Sequence, residues 1–283
     1  MRTISSLLQR RASARPSSPE APGADRARPR WHSVSSTRTY EACPRRYWFS
    51  YVERVPEQRA EVPQHWRFGT VVHHGLEAGY LRHRDVGFSD NLRHTIPTAI
   101  AAVRDSWVAE SMPDDPRELG RAERVVAASL ATTRLRGRDI LGVERFFRAE
   151  TPEGLRVAGA VDLVVRSGEG AIEIRDHKVT RYTRTPEALA GDFQLGLYAW
   201  LARQTWSWVR EVTVAHHYPL LRTLVRTPLA PDAAEGALEH VRTTALVAEA
   251  DHEFTPRPGK ECAVCAYATL CPDAAVDDKK EVG

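Results

Sequence analysis

Val157-Ala158-Gly159-Ala160-Val161-Asp162-Leu163-Val164-Val165, then Ser167-Gly168-Glu169-Gly170, then Ala171-Ile172-Glu173-Ile174-Arg175-Asp176-His177-Lys178 is the stretch on which the fold turns. Two runs rich in β-branched residues, parted by a Gly/Ser turn, predict paired antiparallel strands. Each strand carries one acid, Asp162 or Asp176, and Lys178 follows the second acid by two positions. The chain has 40 Lys and Arg residues, yet Lys178 is its only lysine before Lys260. An ammonium is a compact charge with an adjustable pKa, whereas a guanidinium is a wide fork that stays protonated. An Asp followed by Asp-x-Lys on adjacent strands is the pattern of a metal-dependent phosphodiesterase site. The simpler alternative is a surface Asp/Lys pair in a chain whose arginine bias follows genome composition.

Working outward, Leu141–Glu150 and the turn Thr151-Pro152-Glu153-Gly154 extend the pair to a three-stranded meander. A helix is expected from about Pro186 to Gln204, then strands near 210–218 and 221–228, then a helix over 231–250. On the N-terminal side, Ser36 reads as a helix cap. A short helix follows, ending near Cys43-Pro44, and then an aromatic helix. Phe68–Glu77 opens another, and apolar residues at three- and four-residue spacing predict helices near 91–111 and 116–138. Helices on either side of a run of strands indicate an α/β core, a central mixed sheet flanked by helices.

The composition, 42% hydrophobic and 27% charged, is that of a globular chain able to bury a core. Its net charge of +3 allows a nucleic-acid partner without demanding one. No apolar run is long enough to span a bilayer, so no membrane partner and a cytoplasmic location are expected. Residues 1–32 read as a disordered Arg/Pro/Ser-rich tail, although an Arg- and Ser-rich start also occurs in transit peptides. Residues 276–283 read as a frayed C-terminus, leaving 33–275 as the folded domain.

The four cysteines are Cys43, alone near the start of the folded region, and Cys262, Cys265 and Cys271 near its end. A tight thiol triplet without a secretory signal favours a metal over disulfides. Zinc sites usually bring two close pairs. Three thiols plus one distant thiol suit an iron–sulfur centre of the 4Fe-4S kind. Structural zinc and four free thiols are the alternatives.

Taken together, Gly69-Thr70-x-x-His73, Glu144, Gly159-x-x-Asp162, Asp176-x-Lys178 and Gln194-x3-Tyr198, bracketed by the cysteines, resemble the PD-(D/E)xK nuclease superfamily. The resemblance is to its RecB/AddB-like branch with a C-terminal cysteine cluster, which includes CRISPR-associated nucleases of spacer acquisition. It implies a restriction-endonuclease-like core whose N- and C-terminal segments meet at an iron–sulfur cluster. It also implies Asp162, Asp176, His73 and the backbone carbonyl of His177 as ligands of Mg²⁺ or Mn²⁺, with Lys178 beside the attacking water. Glu144, Gln194 and Tyr198 complete the expected catalytic set; the last two fall four apart and so share a helix face. An imidazole ligand tilts preference toward Mn²⁺. The family usually has an aromatic or apolar residue where His177 stands, and strand alternation turns that side chain away from the ligands.

The expected activity is metal-dependent hydrolysis of DNA, as an exonuclease on single strands or ends, in repair or recombination. No G-x-x-x-x-G-K-[ST] phosphate loop is present, so any unwinding needs a separate helicase subunit. A non-catalytic DNA-binding or assembly subunit and an iron–sulfur redox sensor are the competing readings. Arg45, Arg46, Arg181 and Arg184, with Tyr47, Trp48 and Tyr182 nearby, fit either a single-strand channel or a solvated face over buried rings.

Overall fold

Five strands form one sheet in the order β1-β2-β3-β4-β5: β1 Ile140–Glu150, β2 Arg156–Gly168, β3 Ala171–His177, β4 Glu211–Tyr218 and β5 Thr223–Pro228. The structure is a computed structural model describing residues 31–58, 62–87 and 89–274. The predicted N-terminal tail up to residue 30 and the predicted frayed end lie outside the described residues. The first three strands are the expected antiparallel meander. β3 and β4 pair in parallel, with Asp176 beside His216 and His177 beside His217, and β4 returns antiparallel to β5. One parallel pair makes the sheet mixed and requires a crossover. The chain supplies it with α6 Pro186–Ala190 and α7 Phe193–Thr205.

That crossover differs from the single helix expected there. Gly191 ends α6, and the Asp192 carboxylate caps a new helix by accepting from the backbone N–H groups of Gln194 and Leu195. The first helix, α1 Val34–Ala42, also starts earlier than its predicted cap. Ser33 is the cap, and Ser36 reciprocates as the third residue of a capping box. The aromatic helix is a short α2, Pro44–Tyr47, running into a wider turn at Trp48–Val52. The two middle helices are shorter than predicted: α4 Ile96–Ala109 begins with Pro97 in its first turn, and α5 Pro116–Thr132 is capped by Asp115.

Each face of the sheet is covered. On one, α3 Gln64–Val86 with α4 and α5 buries Val72, Leu76, Val103 and Val126 against Val143, Leu163 and Val165. Gly75 lets α3 sit close here, since a Cβ would lie 2.6 Å from Val103. On the other, α7 and α8 Pro231–Ala250 bury Leu197, Leu201 and Val241 against Val161, Ile172, Ile174 and Val214. A third apolar group joins an early and a late segment of the chain, packing Tyr47, Trp48 and Phe49 with Phe254 and Tyr267. Trp48 is fully buried and Tyr47 nearly so. Of the two readings of this arginine–aromatic stretch, these rings take the buried one. Among the described residues, no helix is long and apolar enough to cross a membrane.

Candidate active site

The site lies where β2 and β3 part. Their ladder runs from the turn as far as Leu163 opposite Arg175 and stops. In the next step, the Asp162 side chain takes the place of a backbone partner: its Oδ2 accepts from the His177 N–H at 2.6 Å. The facing of β2 also changes here. Val161 packs toward α7, whereas Leu163 packs toward α3, so Asp162 sits at the crossover between the two faces. The neighbouring strand β1 bends at the same level. Val143 pairs with Leu163 and Arg145 with Val161, which sets Glu144 opposite Asp162. Glu144 has φ of 44°, left-handed backbone inside a strand, a conformation costing of order 1–3 kcal/mol. Its carboxylate is thereby turned to the site.

His73 comes from α3. Its Nε2 lies 3.0 Å from the His177 carbonyl oxygen, and its Nδ1 lies 3.7 Å from Asp162 Oδ2. His73, Glu144 and Asp162 each offer a donor atom within 4.8 Å of the other two. Glu144 has no hydrogen bond or ion pair among the described residues, and burial with the nearby Asp162 charge pushes its pKa up to about 7. Burial raises the Asp162 carboxyl as well, and the Asp176 charge adds to it. Half-buried carboxylates so short of positive charge fit a cation. Two carboxylates, an imidazole and an available carbonyl are the donors that Mg²⁺ and Mn²⁺ accept.

Asp176 stands beside this group rather than in its tight trio. Its Oδ2 is 2.6 Å from Lys178 Nζ, and its Oδ1 accepts from Gln194 Nε2 at 2.8 Å. Gln194 Nε2 also donates to the Tyr198 hydroxyl at 3.0 Å, as their shared helix face predicts. The sequence thus brings Asp162, Asp176, Lys178, Gln194, Tyr198, Glu144 and His73 to one place, but it had assigned Glu144 to the catalytic set and not to the ligands. The His177 ring lies away from Asp176 but not from every expected ligand: it stacks on Tyr80 at 5.7 Å, meets His217 with Nδ1 atoms 2.9 Å apart, and stands edge-on to the His73 ring at 5.8 Å. Burial holds the His177 imidazole well below its ordinary pKa.

Two partners escaped sequence reasoning. Arg38 of α1 donates to Gln194 Oε1 at 3.2 Å across 156 residues of chain. His216 of β4 is buried with its Nε2 3.9 Å from Asp176 Oδ2. The one available signal was the polar run His216-His217-Tyr218 closing the strand after Val214-Ala215, since open α/β sheets place ligands at strand ends.

Gly159 has a packing reason. A Cβ there would lie 2.8 Å from the Tyr198 ring, and α7 could not approach. Gly159→Ala should cost about 1–3 kcal/mol of stability and lower activity through Gln194; an unchanged melting curve would contradict this. Lys178→Arg, which keeps the charge but widens the head group, should lower turnover roughly 10–100-fold, as for a misplaced supporting group at a metal site. Steady-state kinetics checks it.

The cysteines form a second centre. Cys43, Cys262, Cys265 and Cys271 line one pocket, together with Arg257 and Tyr267. Burial raises the Cys271 thiol, and the nearby Cys43 and Cys265 add to the shift. Backbone N–H groups of Arg257 and Gly259 point at Cys43 Sγ and Cys262 Sγ, at 3.4 and 3.5 Å. None of the four forms a disulfide.

A mixed α/β sheet with acids and a lysine gathered at a split between strands is the architecture of restriction-endonuclease-like hydrolases. The sequence matches the PD-(D/E)XK nuclease superfamily over residues 32–272, and the protein belongs to that superfamily. Among solved structures, a candidate exonuclease from Eubacterium rectale shares 13% identity and aligns over 90% of this chain and 91% of its own, with a TM-score of 0.52. At that identity the likeness concerns the fold alone. The structure of SSO0001 aligns over 75% of this chain and 96% of its own at 13% identity, and its TM-score of 0.35 carries no argument. No curated protein matches the sequence.

Proposed function

We propose that the protein is a metal-dependent deoxyribonuclease of the RecB/AddB-like branch, cutting single-stranded DNA or DNA ends in repair or recombination. The observation that carries this is the convergence of His73, Glu144 and Asp162 beside the His177 carbonyl, with the Asp176–Lys178 pair alongside. On this reading His73, Asp162, Asp176 and the His177 carbonyl hold Mg²⁺ or Mn²⁺, and Glu144 joins them. A cation held there supplies Lewis acidity, polarising the phosphate and acidifying water. Lys178 offsets negative charge developing on the phosphate, in a half-buried position where such charge is least screened. Gln194 fixes Asp176 and Lys178 relative to one another, and Arg38 fixes Gln194.

The four thiols hold a 4Fe-4S cluster in this reading. Three clustered thiols joined by one distant in the chain suit such a centre, and all four line one pocket. Residues 33–275 act as one nuclease domain, with any helicase supplied by a separate chain.

Incubation of anaerobically purified protein with Mn²⁺ and end-labelled or circular single-stranded DNA tests the activity, with Asp176→Asn as the control. Loss of the linear strand with the circle spared supports an exonuclease. Cutting of the circle points to an endonuclease, and equal inactivity of both proteins would overturn the reading. A colourless, zinc-loaded preparation would overturn the cluster assignment.

A further inference from the structure

Along β3 and β4 the residues that face α7 come in register pairs: Ile172 beside Val212, Ile174 beside Val214, then Asp176 beside His216. The first two pairs belong to the apolar core under α7. The third puts an acid and an imidazole at the same depth, Asp176 4% exposed and His216 2%. Polar side chains so deep need partners for their donors and acceptors. Asp176 has Gln194 Nε2 on Oδ1 and Lys178 Nζ beside Oδ2. At its burial His216 cannot reach a DNA strand in the cleft, so whatever it does passes through Asp176.

The contacts of His216 bear on which of its nitrogens carries the proton. Its Nδ1 lies 3.2 Å from the Tyr218 hydroxyl, which already accepts from the Arg184 N–H at 2.8 Å. Were Nδ1 a donor too, the Tyr218 hydrogen would be buried with no acceptor among the described residues, which is costly. With the hydroxyl donating to Nδ1, every group is satisfied. A neutral imidazole has one donor and one acceptor, so its proton then sits on Nε2. Nε2 faces Asp176 Oδ2 at 3.9 Å. That is beyond hydrogen-bond range; the N–H dipole acts on the carboxylate across a buried gap, where the low local dielectric strengthens it.

These contacts close on themselves. The Arg184 guanidinium pairs with Asp192 at 2.6 Å, Asp192 Oδ1 accepts from the Gln194 N–H at 2.9 Å, and Gln194 Nε2 donates to Asp176 Oδ1. Asp176 is thus approached from α7 through one oxygen and from β4 through the other. We infer that His216 is a positioning residue whose Nε2–H, oriented by the Tyr218 hydroxyl, holds the Asp176 carboxylate at a fixed rotation between Lys178 and Gln194. The inference rests on the nuclease reading above and names what keeps its acid in place.

Two readouts test it. Nitrogen-15 spectra of histidine-labelled wild type, in EDTA at about pH 8 where an ordinary imidazole is neutral, should show His216 as the Nε2–H tautomer. The His216 signal is assigned by its absence from His216→Asn. Calorimetric titration with Mn²⁺ is the second readout. His216→Asn, whose amide cannot reach the place of Nε2, should bind Mn²⁺ roughly 10- to 100-fold more weakly. It should also lower kcat with little change in KM for DNA. His216→Gln, whose amide N–H can stand where Nε2–H does, should recover most of both losses. Equal losses in the two variants would reduce His216 to packing and overturn the inference. A wild-type proton on Nδ1 would overturn it as well, however the variants fold. If His216→Asn binds Mn²⁺ and cuts DNA as wild type does, the positioning role is refuted and the nuclease stands. If wild type neither binds Mn²⁺ nor cuts DNA, the nuclease reading falls and takes the positioning role with it.

Discussion

Asp176→Asn should lower DNA cleavage by roughly 10³-fold, the scale of removing one electrostatic contact to the reacting phosphate, while the protein stays folded. Asparagine has the shape of aspartate and can still accept from Gln194 Nε2, which reaches Oδ1 at 2.8 Å. What it loses is the negative charge that holds Lys178 Nζ at 2.6 Å and contributes to the cation site. The expectation has a readout apart from activity. Without divalent cation, wild type holds Glu144, Asp162 and Asp176 close together against a single lysine, and burial with like charge raises Asp162 and Glu144. Removing one charge relieves that crowding, so the variant should melt no lower than wild type. Added Mn²⁺ should raise the wild-type melting temperature by mass action and leave the variant nearly unmoved. An active variant, or one stabilised by Mn²⁺ as wild type is, would remove Asp176 from the site.

Cys43→Ser should produce the largest loss of stability. Cys43 and Cys262 are 219 residues apart in the chain, and a cluster joining them closes that whole length. The loop-entropy relation for cross-links puts the closure at about 5 kcal/mol. For a chain of this size that corresponds to a fall in melting temperature of roughly 10–20 °C. The packing of Tyr47 and Phe49 on Phe254 and Tyr267 remains, so the two segments stay in contact but lose the proposed cluster between them. A second effect follows from α1, which ends at Cys43 and carries Arg38. Loosening the helix weakens the Arg38–Gln194 bond, so activity at low temperature should fall as well. Anaerobic melting, with the visible absorbance of the cluster recorded beside it, decides. A variant that loses its colour but melts with wild type would show that the thiols are not a clasp.

Much of this site was legible one residue at a time. Asp162 and Asp176 stand on strands, with Lys178 just past the second, and the apolar runs and turns of those strands are plain in the sequence because strand pairing in a meander is local. Gln194 and Tyr198 share a face because helix geometry is local as well. Glu144 was harder. Its left-handed backbone inside β1 answers to the bend of β2 at Asp162, and no property of Val143-Glu144-Arg145 alone announces it. The break at Gly191-Asp192 was readable in principle from a glycine followed by a capping acid. A continuous apolar spacing across it predicted one helix instead. Tyr47 and Trp48 resisted for another reason: aromatic residues between arginines read alike whether the rings face a ligand or a core, and here Phe254 and Tyr267 arrive from 200 residues away to cover them.

From the sequence alone came the α/β class, the three-stranded meander, the acids with their lysine, and the four thiols. These depend on residue type and short-range periodicity. The tertiary structure decided which donors share a centre, because His73, Glu144 and Asp162 reach it from a helix and two strands that meet only after the core has packed. It also decided that β4 lies parallel to β3, setting His216 and His217 beside Asp176 and His177, and that Arg38 reaches Gln194. Contacts between distant segments follow from how two apolar faces of one sheet are covered, and that is a property of the whole chain rather than of any stretch within it.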